Sequence, residues 1–128
     1  MFILRIEVEN ALETAAHEEA RRRVARWIAR KGGPVVERLT PVRCREIVDL
    51  AFDRAHDLHL RTEWELAHAA LAFALVADRP EDSPARLAVN LALSDPHAMP
   101  KTRVVTAVEI ARSAEAFDLE GEEASHVP

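Results

Sequence analysis

Three glycines, one cysteine and no tyrosine occur in 128 residues, and each scarcity closes a class of function. Phosphate loops, dinucleotide fingerprints and the nucleophile elbow of hydrolases all require closely spaced glycines, and three cannot build them. With a single cysteine, Cys44, no intrachain disulfide can form, so a reducing cytoplasm is the expected location. The opening "MFILRIEVEN" does not suit a secretory signal, because its short apolar run is interrupted by Arg5, Glu7 and Glu9. The longest apolar stretch, "LAHAALAFALVA" from Leu66 to Ala77, is about half the roughly 20 residues of a membrane span. It reads as a core helix, and no membrane insertion is expected. A basic excess is missing too: the formal net charge is −5. Residues 1–64 hold 12 Lys/Arg against 11 Asp/Glu, and residues 65–128 hold 5 against 11. Affinity for nucleic acid comes largely from phosphate neutralisation, so that balance argues against such a partner.

What is present favours helix. Apolar residues are 48% and charged residues 30% of the chain, an ordinary globular mixture rich in Ala, Leu, Arg and Glu. The length suits one domain with one core. In the first ten residues, Phe2, Leu4, Ile6 and Val8 alternate with polar neighbours, which predicts a short extended segment over 2–8. A helix is expected over about 10–31, capped by Asn10 and stopped at Gly32–Gly33, with Leu12, Ala16, Ala20, Val24, Trp27 and Ile28 as its apolar stripe. Thr40–Pro41 starts a second helix over about 41–58. Its apolar positions are Cys44, Ile47, Val48, Ala51, Ala55 and Leu58. Thr62 and Glu65 form a capping-box pair that opens a third, over about 63–77, apolar on nearly every side. Ser83–Pro84 opens a fourth over about 84–93, and a fifth spans about 101–117 with Val104, Val108 and Ala111 inward. The acidic end 119–128 is expected to be a disordered tail. Residues 1–118 thus predict an all-α, single-domain bundle of about five helices.

Three stretches carry a likeness to a known family: the opening "MFILRIEVENAL", the central "LTPVRCREIVDLAFDRAHDLHLRTEWELAHAALAFAL", and "ALSDPHAMPKTRVV". In order and spacing they resemble the small all-helical accessory proteins encoded beside PAAR and VgrG spike genes in bacterial type VI secretion clusters. The likeness covers most of residues 1–110. The chain departs from the family where it reads "DLHLRT" in place of a glycine-containing turn, and "DRPEDSPARLA" in place of an aromatic-proline-tryptophan segment. The resemblance implies accessory work, holding or helping to load a secretion effector or its adaptor. It supplies no catalytic residues.

The histidines are the natural place to look for a metal. Asp53-x-x-His56 and Glu65-x-x-His68 have the spacing used by di-iron bundles, which also need a carboxylate from each of two other helices. No obvious inward carboxylate is available, so no metal or cofactor is expected. Cys44 falls in an apolar stripe and reads as an inert buried thiol. The second helix, its turn and the third can be aligned with a helix-turn-helix, but Glu63 and Glu65 at the start of the recognition helix would repel phosphates. An enzyme is therefore not expected.

Two features remain for recognition of another protein. The first is the unpartnered segment Phe2, Leu4 and Ile6, suited to strand addition on a partner's sheet. The second is "RRRVARWIARK", whose Arg22, Arg26 and Arg30 recur at four-residue spacing, either as a solvated salt-bridge face or as anchors for an acidic partner. The function they suggest is a non-enzymatic adaptor or chaperone-like protein. The alternative is an immunity protein that neutralises a toxin, with the acidic second half covering its target.

Overall fold

The computed structural model describes the backbone of residues 2–114 and the side chains of residues 17–114. Six helices follow one another: α1 (Phe2–Lys31), α2 (Pro34–Glu37), α3 (Pro41–Asp53), α4 (Glu63–Leu75), α5 (Pro84–Ser94) and α6 (Pro100–Arg112). Among the described residues there is no strand, and the architecture is an all-α bundle. None of these helices is long and apolar enough to cross a membrane.

The extended segment expected over 2–8 is instead the first two turns of α1. Two physical reasons favour helix. No strand among the described residues could take up the amide and carbonyl groups of a lone extended segment, whereas a helix satisfies them internally. Moreover Leu4, Val8, Ala11 and Ala15 repeat at four- and three-residue spacing, so the same letters also fit the helical period. No glycine or proline interrupts residues 2–31. The side chains of Phe2, Leu4 and Ile6 lie outside the described residues, as does the acidic tail 119–128.

Three helix starts, those of α3, α4 and α5, follow side-chain caps. Thr40 Oγ1 accepts from the Arg43 amide at 3.1 Å, with Pro41 at the first helical position. Thr62 accepts from the Glu65 amide at 3.1 Å while Glu65 Oε1 accepts from the Thr62 amide at 3.2 Å, a complete capping box. Ser83 accepts from the Arg86 amide at 3.3 Å. Each bond satisfies a donor that the first turn leaves without an intrahelical acceptor.

α1 ends at Gly32–Gly33, and Gly33 takes the left-handed conformation (φ 70°) open to glycine. The short α2 that follows closes down on it: a β-carbon at Gly32 would lie 2.1 Å from Val36 Cγ2. α3 stops at Asp53 instead of running to 58, and the turn that follows it closes in a Schellman motif. The Leu60 amide bonds the Ala55 carbonyl at 2.9 Å and the His59 amide bonds the His56 carbonyl at 3.1 Å. His59 occupies the left-handed position (φ 56°) where glycine usually sits.

α4 is the hub. It packs against the other five helices, and Ala67 and Ala69 through Leu75 are buried. Five of those eight are alanine, so the surrounding helices approach its axis closely. Around it Val24 and Ile28 of α1, Ile47 and Val48 of α3, Val89 and Leu93 of α5, and Val104 and Val108 of α6 complete one continuous core.

One charged residue lies inside this core. Arg103 is 7% exposed. Its Nη1 donates to the Leu58 carbonyl at 2.7 Å and the Leu93 carbonyl at 3.2 Å, and its Nε donates to the Ala98 carbonyl at 3.1 Å. The guanidinium thus joins the turn after α3, the end of α5 and the α5–α6 connection. Carbonyls at helix ends carry partial negative charge and lack intrahelical donors, which makes them suitable partners for a buried cation.

Candidate functional site

The arginines of α1 whose side chains are described divide into two groups. Arg21, Arg22 and Arg23 each meet a carboxylate. Arg21 bonds Asp49 at 2.8 Å and Asp53 at 3.2 Å, Arg22 bonds Glu18 at 3.4 Å, and Arg23 bonds Glu63 at 2.6 Å. Arg45 of α3 joins this network through Glu18 at 2.7 Å and Asp49 at 2.9 Å. The Arg45 hydrogen bond holds the Glu18 carboxyl below its ordinary pKa. Burial pushes Asp49 upward, but hydrogen bonds from Arg45 and Arg21 outweigh it and leave that carboxyl lowered too. The pairs of Arg21, Arg23 and Arg45 sew α1 to α3 and to the start of α4, while the Arg22–Glu18 pair lies within α1.

Arg26 and Arg30, one and two turns farther along α1, form no ion pair among the described residues. Both line an open groove of about 790 Å³ between α1 and α4. Trp27 enters it from α1, and Trp64 and His68 from α4. The Trp64 ring is 3.9 Å from the His68 ring and the Trp27 ring is 5.0 Å from it, centroid to centroid. His68 Nδ1 lies 2.7 Å from the Trp64 carbonyl. A carbonyl only accepts, so Nδ1 carries the proton and the imidazole is fixed in orientation. Lys101 Nζ stands 5.1 Å from the Trp64 ring centre, a cation–π contact that further restrains the indole. Arg23 closes one side, gripping Glu63 with both Nε and Nη2 and lowering the Glu63 carboxyl pKa. Trp64 remains 42% exposed, an unusual share for the largest apolar side chain.

The arrangement therefore holds an aromatic floor, two guanidiniums without an ion pair among the described residues, and a fixed imidazole. It can bind an anionic group beside an apolar one. Of the three arginines that the sequence marks as anchors, the groove takes Arg26 and Arg30 and leaves Arg22 out. Trp27 was legible only as part of the apolar stripe. Trp64 and His68 have no sequence signal for this role, because their pairing with α1 is created by the packing of helices about 40 residues apart.

The other constellations weighed from the sequence do not assemble among the described residues. Asp53 is bound to Arg21, Glu65 is spent in the capping box, and His68 packs against both indoles. Among the described residues no three His, Cys, Asp or Glu side chains converge as a metal site would require. Cys44 is buried, which pushes its thiol pKa up and away from nucleophilic use. The connection from α3 to α4 runs over residues 54–62, nine positions from the bounds of the two helices, too long for the 3–4-residue turn of a helix-turn-helix. No family model matches the chain, and no curated protein or solved structure matches it.

Proposed function

We propose that the chain is a non-enzymatic, protein-binding accessory module whose docking surface is the α1/α4 groove and the arginine face beside it. The observation that carries this reading is the contrast along α1: three arginines that meet carboxylates, then two that form no ion pair among the described residues and stand beside an exposed indole. Exposed tryptophan and arginine are the residues on which protein interfaces concentrate their binding energy.

The partner we propose is a type VI secretion effector or its loading adaptor, which this protein would hold or deliver to the spike. Support comes from the likeness of the central and third stretches to accessory proteins of those clusters. The opening stretch gives less, because it is helical from Phe2. The test is co-purification of the tagged protein with each product of its neighbouring genes. A stable complex with an effector or adaptor is the expected result, and isolation of the chain alone from all of them refutes the proposal. A cell-protection assay separates this role from toxin neutralisation, since an accessory protein changes export without rescuing poisoned cells.

A further inference from the structure

We infer that the α1/α4 groove receives an acidic amphipathic helix, with an apolar side chain against Trp27 and Trp64 and two carboxylates one turn apart on Arg26 and Arg30. This rests on the protein-binding reading and specifies the segment of the partner that makes contact.

Spacing is the first argument. Arg26 and Arg30 are four residues apart on one helix, which sets their side-chain origins about 6 Å apart. Carboxylates four residues apart on a second helix have the same spacing, so two fork-to-carboxylate pairs can form in register. The second argument is shape. A groove of about 790 Å³ between two packed helices accepts a row of side chains, the way an amphipathic helix lays its apolar face into a partner. Charge is the third. Arg21, Arg22 and Arg23 already meet carboxylates, so among the described residues the positive potential left on this face comes from Arg26, Arg30 and nearby Lys101. An aromatic platform beside arginines is also what single-stranded nucleic acid uses. Here Glu63 forms part of the wall and the whole chain carries −5. Both repel a continuous phosphate backbone while tolerating two local carboxylates.

The chain's two tryptophans both line this groove, and tyrosine is absent. Indole fluorescence of the full-length protein therefore reports on the groove alone. The probe is a synthetic peptide of about 16 residues, long enough to form helix, with a Leu/Phe stripe flanked by glutamates at four-residue spacing. A twin with every Glu replaced by Gln, and an oligo-dT strand, are titrated in parallel. The glutamate peptide should shift the indole emission saturably and bind at least about tenfold tighter than its twin. That margin should shrink with added salt, because exposed charges are screened. The double variant Arg26→Gln/Arg30→Gln, checked for an unchanged thermal melt, should lose the margin. An unmoved emission spectrum, equal binding of the twins, or tighter binding of oligo-dT overturns the inference. If a natural partner co-purifies equally well with the double variant, the groove assignment fails while the protein-binding reading survives.

Discussion

Replacing Arg103 with methionine tests the packing logic most severely. The substitution keeps a long unbranched stem in the core but removes the fork that joins three carbonyls, those of Leu58, Leu93 and Ala98. A hydrogen bond to a charged group contributes about 1.5–3 kcal/mol, and a buried acceptor left unpaired costs about 1–3 kcal/mol. Removing the guanidinium also abolishes its own desolvation cost, which offsets part of the loss. Not all three carbonyls stay dry, since Ala98 lies in a connection next to exposed His97 and Met99. The net destabilisation expected is therefore about 3 kcal/mol, near the lost value of the two bonds to the Leu58 and Leu93 carbonyls. Urea unfolding followed by far-ultraviolet circular dichroism measures it. With an m-value near about 1.5 kcal/mol/M, the midpoint should fall by about 2 M. Arg112→Met, at an exposed position in the last turn of α6, is the control and should stay within about 0.5 kcal/mol of wild type. Arg103→Lys should fall between them, since an ammonium keeps the charge but not the planar fork. An Arg103→Met midpoint equal to that of the control would refute the claim that this residue ties the α3, α5 and α6 ends together.

Three further outcomes follow from the same structure. His59→Gly should raise stability by up to about 1 kcal/mol in thermal melts, because glycine adopts the left-handed Schellman position without the strain of a β-carbon. Ile47→Asp should abolish the cooperative melt, since it sets an unpaired charge at a position only 3% exposed, whereas Arg26→Glu should change stability by only a few tenths of a kcal/mol. Acid should weaken the fold in a defined direction. Glu18, Asp49 and Glu63 have folded pKa values below their ordinary 4.5, 3.8 and 4.5, so their contribution is complete above those values and is lost as pH falls through the lowered ones. Melting temperature should be flat between neutral pH and about pH 5 and drop below it, and Asp49→Asn should flatten that acid limb.

Three helix starts were legible because each has a chemical marker close in sequence. Thr40–Pro41, Thr62 with Glu65, and Ser83–Pro84 all sit where the structure begins α3, α4 and α5. The central place of α4 was legible as well, since a segment without a polar face has nowhere else to go. Helix ends were harder. Leu58 keeps the apolar period of α3 and is buried, yet it belongs to the turn that His59 closes, and nothing in "DLHLRT" marks the histidine as left-handed. The four residues of α2 were too short to leave a period. At the amino terminus two periods fit the same letters, and the absence of a strand partner decided between them. Arg103 has the spelling of any surface arginine of a helix; its burial follows from the way three chain ends converge on it. The groove was half legible: Arg26 and Arg30 stood out as a repeat, but Trp64 and His68 join them only through tertiary packing.

The most direct measurement of the central claim is a two-dimensional nitrogen–proton spectrum of the labelled protein as the glutamate peptide is added. The chain has two indole N–H groups, from Trp27 and Trp64, and both should shift progressively and saturate together. Indole signals that stay fixed while amides elsewhere move would mean that binding occurs on another face and that this groove is not the docking site.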